Sequence, residues 1–330
     1  MAINLETEKK IADILDFVNK NDNYLLTAHV NADGDAIASV LAFSLFLDRL
    51  NKTYSIILHD QKIEEKYRYL KNWEKIISFN ESDLSSYKNK INVALIFDSP
   101  GDRRIGDVAS IVDKKNGNIK IDHHPSETDY SALDWVDTSA SSVASMVFEI
   151  INASDIDIDK NMAEAIYTGI VYDTGRLSFS NTRTKDLEIC ANMVDLGVEP
   201  GKITNNLFFD NSAHSLKVIG IGLSNITQFC DGRVSLIPLF EKDMENVDPG
   251  DIEVLANHSV SVRNTEVGVF VREREPGFFK LSLRSKEYVD VSKIAGQLDG
   301  GGHKRASGCR FTGSYDELIK KLIPIIEKEL

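Results

Sequence analysis

The sequence contains little cysteine and no long apolar run. Cys190, Cys230 and Cys309 are an odd number without C-x-x-C spacing, which argues against a disulfide framework and against a thiolate zinc site. We expect them to be buried as small apolar side chains. No apolar run approaches the ~18 residues of a transmembrane helix, and the start MAINLETEKKIADIL has the polar pattern of an amphipathic helix rather than of a signal peptide. We therefore predict a cytoplasmic protein with no membrane association.

Positive charge is also scarce. Lysine and arginine total 38 against 51 aspartates and glutamates, so the formal net charge is -13. This balance disfavours capture of long nucleic acid along a basic surface, and an anionic substrate would need a local positive centre. The 330 residues are 42% hydrophobic and 27% charged, with only 7 prolines and 20 glycines. These values are typical of a globular chain of about two domains.

Short apolar runs alternate with helical patterns from residue 24 to about 125, which is typical of units that build a parallel sheet. A mostly apolar helix is predicted at 34–52, and further helices at 141–153, 162–173 and 182–198, the last closed by Gly197. The strand candidates are YLLTA, YSIILHD, KIISF, NVALIFD and NIKID.

The pattern changes after residue 229. GRVSLIPL, EVGVFVRERE, FFKLSLRS and CRFTG read as strands separated by turn signals, followed by the amphipathic helix YDELIKKLIPIIEKEL. We therefore predict an α/β protein in two domains. The first, at 1–200, has a parallel sheet with helices on both faces; a helical linker follows at 201–229, and a smaller α/β domain with a mixed sheet occupies 230–330.

Aspartates and histidines follow four apolar segments of the first domain. In an open parallel sheet ligands bind outside the carboxyl ends of the strands, so polar residues placed there are informative. Unpaired buried charge is costly, and divalent metal ions would remove that cost. The candidates are His29, Asp33 and Asp35 after YLLTA, Asp98 at the end of NVALIFD, Asp122, His123 and His124 around the end of NIKID, and Asp173 at the end of a helix.

Carboxylate and imidazole ligands together suit Mn²⁺, although Mg²⁺ and Co²⁺ accept the same ligand set. Two ions about 3.5 to 4 Å apart can share one carboxylate, clamp a phosphoryl group and activate a water molecule. In HVNADGDA, we expect Gly34 to let the backbone turn between the two carboxylates.

Each segment also has a purely structural interpretation. The Asp-Gly-Asp stretch can form a plain turn or cap a helix. The paired histidines can be a hydrogen-bonded structural pair, and Asp98 before Ser-Pro-Gly can begin a turn. Four such segments at the ends of one predicted sheet nevertheless favour a metal site over coincidence.

The same residues carry a resemblance to a known family. HVNADGDA, IFDSPGDRRIG, IDHHPS and VYDTGRLSFSNT match, in order, the four motifs of the DHH phosphoesterase superfamily, and DGGGHKRASG resembles the glycine-rich substrate motif of its DHHA1 accessory domain. The match covers nearly the whole chain, whose size resembles the bifunctional oligoribonuclease and pAp phosphatase (nanoRNase) branch. The resemblance implies a DHH catalytic domain at 1–200 and a DHHA1 substrate-binding domain at 230–330.

The resemblance also implies a role for each candidate ligand. Asp98 would bridge two metal ions. His124 would face the scissile phosphate as a phosphate ligand or proton donor, and Asp122 would orient a histidine. A water molecule deprotonated between the ions would attack phosphorus in line with the leaving oxygen. The first ion would be bound by His29, Asp33 and Asp98, and the second by Asp35, Asp98, His123 and Asp173.

The glycine-rich motif is a candidate anion site. Gly300, Gly301 and Gly302 would let backbone N–H groups approach a terminal phosphate, and the side chains of 303–305 would add donors. The structural alternative is a flexible turn.

Arginines supply further substrate-binding candidates. Arg284 could contact a phosphate or stack on a base. Arg104 and Arg176 lie near the metal motifs, where each could equally form a structural ion pair, and Phe179 could be a stacking platform or part of the core. The predicted substrate-binding set is Arg104, Arg284, Gly301, Gly302, His303 and Arg305.

The predicted function is Mn²⁺-dependent hydrolysis of RNA of a few nucleotides to mononucleotides, with removal of the 3′-phosphate of pAp as a second activity. The metal site and the glycine motif would face each other across a cleft that admits short RNA, pAp or pApA but no long duplex. One alternative is a phosphodiesterase acting on pApA or cyclic di-AMP, and another is a nucleotide-binding regulator without catalysis. Pyrophosphatase activity is disfavoured by the DHHA1 motif, and polyphosphate hydrolysis is a minor alternative. By resemblance we expect a homodimer.

Overall fold

A computed structural model describes residues 5–112, 117–125, 131 and 133–330, and the chain divides into two compact units, Met1–Asp210 and Asn211–Leu330. The first four residues of the predicted amino-terminal helix lie outside this description. No helix within these ranges is both long and apolar enough to cross a bilayer.

The first unit contains a sheet that has six parallel strands within the described ranges. They are β1 Tyr24–Ala28, β2 Tyr54–Leu58, β3 Ile76–Ser78, β4 Val93–Phe97, β5 Ile119–Asp122 and β6 Leu133–Val136. Their order is β3-β2-β1-β4-β5-β6, and each pairing is parallel. The five predicted strands are confirmed. The sequence does not predict β6, because Trp135 is its one buried residue and no apolar run marks this edge strand.

Helices cover both faces of this sheet, as predicted. Leu26 and Leu95 pack in the larger core with α2, α4 and α5, whereas Leu25 and Ile96 face a second core that includes the 3₁₀-helical segment Asp102–Ile111. The helices are α1 Leu5–Lys20, α2 Gly34–Arg49, α3 Leu84–Lys90, α4 Val143–Asn152, α5 Lys160–Asp173, α6 Thr184–Asp195 and α7 Pro200–Thr204, with a π-helical turn at Asn205–Phe209.

Two local signals in the first unit act as the sequence suggests. Gly197 has φ +95° and donates its N–H to Val194 O at 2.9 Å, which ends α6 in the left-handed conformation that glycine favours. Helix α2 is buried along most of its length, because it packs on the sheet and against α5. Its apolar sequence therefore reflects a helix without a solvent face.

The second unit has a mixed sheet of six strands in the order β11-β12-β10-β9-β8-β7. Strands β8 and β9 pair in parallel, and the other pairings are antiparallel. The strands are β7 Thr227–Phe229, β8 Val234–Leu239, β9 Val267–Glu275, β10 Phe278–Ser285, β11 Gly301–His303 and β12 Ala306–Thr312, and the helices are α8 Ala213–Ser224, α9 Leu255–Ser261, α10 Val291–Gly296 and α11 Tyr315–Glu327. The smaller α/β domain with a mixed sheet is confirmed, and the predicted final helix corresponds to α11.

The segment 201–229, expected as a linker, is divided between the two units. Helix α7 and the π-helical turn lie in the first unit, and residues from 211 onward lie in the second. There Val218 and Ile219 of α8 pack with Ile237 and Leu255. These apolar positions give α8 a buried face, which an exposed linker would not need.

The cysteines follow the expectation at two of three positions. Cys190 and Cys309 are buried, whereas Cys230 is half-buried, and all three are free thiols. Cys230 departs from the expectation because it lies in a short 3₁₀ turn between β7 and β8, at the edge of the sheet.

Candidate metal centre

The candidate ligands meet at the carboxyl ends of three neighbouring strands. His29 follows β1, Asp98 follows β4 and His123 follows β5, and these strands are adjacent in the order β1-β4-β5. Asp98 Oδ2 lies 3.4 Å from His29 Nε2, and its Oδ1 lies 3.5 Å from His123 Nε2. Asp173, at the end of α5, places Oδ2 3.2 Å from the same His123 nitrogen. The fold thus brings together residues that are up to 144 positions apart in sequence.

Asp98 occupies the middle of this cluster. Its side chain is 2% exposed and contacts His29, His123 and His124, the last at 3.3 Å from Oδ1 to Nδ1. Its backbone is left-handed, with φ +53°, a conformation that is uncommon for a residue with a Cβ atom and is enriched at functional sites. The alternative of a plain turn does not account for a buried carboxylate placed among three histidines.

The loop before α2 directs His29 and Asp33 toward Asp98. His29 Nδ1 lies 2.9 Å from Val30 O, so its Nε2 is free to face Asp33 and Asp98 at 3.9 and 3.4 Å. Asp33 is also the N-cap of α2 and accepts hydrogen bonds from the backbone N–H groups of residues 35 and 36. The helix-cap interpretation is therefore correct as well, because one oxygen caps the helix while the carboxylate remains beside His29.

Asp35 is fully buried and held by backbone donors. Its Oδ2 accepts a hydrogen bond from Val143 N at 2.6 Å, and Oδ1 accepts hydrogen bonds from Ala144 N at 2.9 Å and Ser39 Oγ at 3.3 Å. The two N–H groups belong to the first turn of α4, whose positive end favours an anion. Burial, and then the nearby charge of Asp173, raise the pKa of Asp35 well above its ordinary value, so this carboxylate needs a positive partner to be ionised.

Gly34 has a different role from the one predicted. It is the first residue of α2, not a special turn between two carboxylates. A Cβ atom at this position would lie 2.4 Å from the ring of Tyr172. Glycine is needed because Tyr172 packs directly against the backbone between Asp33 and Asp35.

Asp122 holds His124 in place. His124 Nδ1 lies 2.9 Å from Asp122 Oδ1, and Asp122 is fully buried as the last residue of β5. The rings of His123 and His124 meet edge to face with centroids 4.8 Å apart, but one ring nitrogen of each, Nε2 of His123 and Nδ1 of His124, contacts an aspartate. The histidines are therefore arranged around carboxylates rather than hydrogen-bonded to each other.

The charges of the cluster depend strongly on one another. Burial lowers the pKa of His124, but its hydrogen bonds to Asp122 and Asp98 outweigh burial and raise the pKa to about 9. The same balance raises the pKa values of His29 and His123 well above the ordinary range. Burial would raise the pKa of Asp98, yet hydrogen bonds from His123, His124 and His29 hold it well below its usual value.

The donor set fits divalent cations. Among described residues of the first unit alone, three triads each place one nitrogen or oxygen atom per residue within 4.8 Å of one another, and Asp98 belongs to all three. Asp122 Oδ2 is buried and makes no hydrogen bond within the part of the chain that the structure describes. Mixed carboxylate and imidazole donors suit Mn²⁺, Mg²⁺ or Co²⁺. The triads are His29–Asp33–Asp98, Asp35–Asp98–His123 and Asp98–Asp122–His124.

Two further first-unit candidates are exposed. Arg104 forms no ion pair among the described residues; its backbone carbonyl accepts the N–H of Val30 at 2.6 Å, which fixes the loop after β1. Phe179 is 42% exposed and its ring lies against Gly175, where a Cβ atom would approach it to 2.4 Å. The core interpretation of Phe179 is therefore wrong.

The glycine-rich motif of the second unit is an ordered hairpin rather than a flexible turn. Strand β11 pairs with β12 in the register Gly301 to Gly308 and His303 to Ala306. Glycine is required at Gly302, which has φ +138° and leaves no room for a Cβ atom beside Ala306 O at 2.7 Å. At Gly301 a Cβ atom would meet nothing within 4 Å, so its exposed backbone is open to a ligand.

The predicted arginines of this unit differ in their surroundings. Arg284 pairs in register with Ala306, which pairs with His303 on the other side, so these residues form one row across β10, β12 and β11. Arg305 instead donates Nη1 to Ser285 Oγ at 3.3 Å and to Val289 O at 3.0 Å. Arg284 and His303 thus lie on one row with Ala306 between them, and Arg284 donates Nε to Asn257 Oδ1 at 3.2 Å. Arg305 holds its own loop in place.

Residues that the sequence does not single out complete the surroundings of Asp35. Gly169 of α5 lies where a Cβ atom would approach Asp35 Oδ1 to 2.6 Å and Ala144 Cβ to 2.4 Å. A glycine inside a predicted helix destabilises it, and that mismatch is the signal that could have pointed to a close packing site.

We expect Gly169→Ala to destabilise the protein by about 1–3 kcal/mol, because the added methyl group overpacks the contact between three helices, and to displace the Asp35 carboxylate. Denaturant unfolding measures the free energy. The control is Gly220→Ala in α8, where a Cβ atom meets nothing within 4 Å and alanine should stabilise the helix slightly. Equal effects of the two substitutions would contradict the close contact at Gly169.

Both units match known protein families. Residues 23–170 match the model of the DHH family, N-terminal domain, and residues 236–328 match the DHHA1 domain. The chain is 28% identical to the bifunctional oligoribonuclease and PAP phosphatase NrnA of Thermus thermophilus, over 98% of this chain and 95% of the relative. It is also 28% identical to the Bacillus subtilis protein of the same name, over 92% and 94% of the two chains.

A solved structure resembles the chain throughout. The exopolyphosphatase-related protein from Bacteroides fragilis superposes with a TM-score of 0.89 at 26% sequence identity, covering 97% of this chain and 96% of that one. The similarity thus includes both units.

Proposed function

Because this chain belongs to the DHH family and carries a DHHA1 domain, we propose that it degrades very short oligoribonucleotides to mononucleotides and removes a phosphate from pAp. The chain is a metal-dependent phosphoesterase. The observation that carries the finer proposal is the cluster around Asp98, in which three histidines and further aspartates converge at one end of a parallel sheet. Two relatives named as oligoribonuclease and PAP phosphatase support the substrate class.

In this proposal six residues would hold two ions, and Asp98 would serve as a ligand at both positions. Mn²⁺ is the expected metal, since its ligand preferences match the mixed donors. When bound, the ions would supply Lewis-acid activation of water and neutralise charge on the phosphoryl group. The ligands would be His29, Asp33 and Asp98 at one position and Asp35, Asp98, His123 and Asp173 at the other.

In the proposed reaction Asp122 and His124 together supply the proton that the leaving oxygen takes up. Asp122 fixes His124 through Nδ1 at 2.9 Å, and in this proposal Nε2 contacts the phosphate and donates a proton to the leaving oxygen. The raised pKa of His124, about 9, keeps this group protonated in the metal-free protein at neutral pH. Asp122 is thus a positioning residue, and His124 is the catalytic acid.

Substrate anions are proposed to bind in the second unit at the exposed backbone of Gly301 and Gly302 and at the row formed by Arg284 and His303. Backbone N–H groups of glycine-rich segments and arginine side chains both suit a terminal phosphate. Arg305 supports this site through its loop, and Arg104 supplies an exposed cation in the first unit.

Two other activities can use the same centre. The solved structure that resembles this chain is that of an exopolyphosphatase-related protein, so inorganic polyphosphate is a second candidate substrate. Hydrolysis of pApA or cyclic di-AMP would need the same ligands. A regulator without catalysis is disfavoured, because each of the six ligand positions carries a side chain that can bind metal.

We expect the protein with Mn²⁺ to hydrolyse pAp and a 3-mer RNA at least about tenfold faster than a 24-mer, since a net charge of -13 disfavours binding of a long polyanion. Chromatography of AMP, mononucleotides and phosphate measures the rates, with pApA, cyclic di-AMP and tripolyphosphate in parallel. The Asp122→Ala plus His123→Ala variant controls for contaminating nucleases. Equal rates on the 3-mer and the 24-mer would refute the length preference, and dominant release of phosphate from tripolyphosphate would favour the polyphosphatase.

A further inference from the structure

Arg176 is a cation without an acidic partner beside the metal centre. It follows Asp173 by three residues, is exposed, and forms neither an ion pair nor a side-chain hydrogen bond within the described ranges. Its guanidinium group instead lies over two aromatic rings, 5.1 Å from the centroid of Phe208 and 5.7 Å from that of Phe209. The ion-pair interpretation of this arginine is therefore wrong, and its N–H groups remain available at the edge of the guanidinium plane.

The backbone at Arg176 is held in an unusual conformation. Gly175, Arg176 and Leu177 have consecutive φ values of +54°, +63° and +62°, a region that residues with a Cβ atom seldom adopt. The Arg176 N–H donates to Val171 O at 2.7 Å, which fixes the turn to the end of α5. Strained backbone that the surrounding structure maintains is concentrated at ligand sites.

A column of aromatic side chains connects Arg176 with the metal centre. The ring of Tyr172 lies against Gly34, between Asp33 and Asp35, and stacks on Phe208 with centroids 6.3 Å apart and planes 20° apart. Phe208 and Phe209 belong to the π-helical turn, a rare element that is frequent at functional sites. The column therefore begins at the predicted ligands and ends at the arginine.

Phe209 is not explained by packing. Its side chain is 62% exposed, so it contributes little to the core, although it is fixed beside Arg176. An exposed aromatic ring next to an unpaired guanidinium group matches the two parts of a nucleotide, since the base can stack on the ring and the phosphate can accept hydrogen bonds from the cation. Inorganic phosphates offer only the second contact.

We propose that Arg176 and Phe209 form a nucleotide-binding platform beside the metal centre, in which Phe209 stacks on a base of the substrate and Arg176 contacts a phosphate. The platform rests on the proposed function and deepens it, because it selects nucleotides over inorganic polyphosphates. Tyr172 and Phe208 hold the platform in place without contacting the substrate.

The test compares pApA with a dimer of the same sugar-phosphate backbone that lacks both bases. Phe209→Ala should raise KM for pApA on the order of tenfold, leave kcat within about twofold and leave KM for the abasic dimer unchanged. Phe209→Tyr should restore KM for pApA. Arg176→Gln should raise KM for both dimers by a similar factor, because both retain the phosphate. The matched control is Leu187→Ala, which removes another exposed apolar side chain of the first unit, 51% exposed.

The outcomes separate the platform from the proposed function. If Phe209→Ala changes KM for both dimers equally, or for neither, or if Arg176→Gln leaves KM within twofold, the platform is wrong although the enzyme is active. If the wild-type chain hydrolyses no nucleotide, the proposed function has failed. In that case calorimetry with AMP and with ribose 5-phosphate still tests the platform. If Phe209→Ala loses binding of AMP but keeps binding of ribose 5-phosphate, the platform is supported. If wild type and variant bind AMP equally, the platform is wrong.

Discussion

Replacing Asp98 by asparagine is expected to lower metal-dependent phosphoester hydrolysis by about 10³-fold or more, because loss of a shared anionic ligand removes several kcal/mol of charge stabilisation. Asparagine keeps the size of the side chain and removes its charge. In the structure this carboxylate is 2% exposed and lies 3.3 to 3.5 Å from nitrogen atoms of three histidines. The rate with Mn²⁺ on pAp and on a 3-mer RNA measures the effect, and calorimetry measures the number of ions bound.

The control for this substitution is Asp107→Asn. Asp107 also lies near a histidine, with Oδ2 3.5 Å from His59 Nδ1, but its side chain is 73% exposed. The same chemical change there should leave turnover within about twofold, as exposed pairs contribute little. If Asp98→Asn retained wild-type turnover, Asp98 would not be the shared ligand and the assignment of both metal positions would have to change.

The metal-free protein should become less stable as pH rises from 6.5 to 9. The folded-state pKa of His124 is raised from 6.5 to about 9, so its contribution is fully present below pH 6.5 and is lost as pH rises through about 9. For this histidine alone the loss is on the order of 3 kcal/mol. His29 and His123 have raised pKa values as well and act in the same direction. Urea unfolding in the presence of a chelator measures the trend.

Added Mn²⁺ should reverse this trend, because the metal needs deprotonated ligands and its binding strengthens as pH rises. His124→Asn should flatten the slope of the metal-free protein, whereas His214→Asn, at an exposed histidine, should not. The measurement stops at pH 9 because burial raises the thiol pKa values of Cys190 and Cys309 to about 12. Above pH 9 these thiols would also lower the stability of the folded protein as pH rises. Metal-free stability that stays constant or rises between pH 6.5 and 9 would contradict the charge state assigned to the cluster.

The elements that the sequence predicts are those with a strong periodic signal. The strands ending at Ala28 and Phe97 are continuous apolar runs, because parallel strands are buried on both faces. The strand Leu133–Val136 and the short strand Gly301–His303 carry no such run, since edge strands have little burial and their pairing is decided by distant segments. Local patterns therefore predict the centre of each sheet better than its edges.

The clustering of the candidate ligands was predictable for a related reason. Asp98 follows a buried strand and Asp122 ends one, and a charged residue is conspicuous in the sequence at such a position. The environment of Asp35 was not, because its partners are backbone N–H groups of α4, more than 100 residues away. The contact of Tyr172 with Gly34 and the position of Phe209 on a π-helical turn likewise depend on tertiary packing that no local pattern records.

The position of Asp98 directly after the middle strand of three has a consequence for metal loading. If Asp98 is a ligand of two ions, as proposed, the first ion would fix the orientation of the carboxylate and neutralise part of its charge, so the second position would be affected as well. The affinities at the two positions would therefore be thermodynamically linked, and occupancy of either would change the dissociation constant of the other by the same factor. Metal binding would then be cooperative, and the activity would depend on metal concentration as expected for two coupled sites rather than for two independent ones.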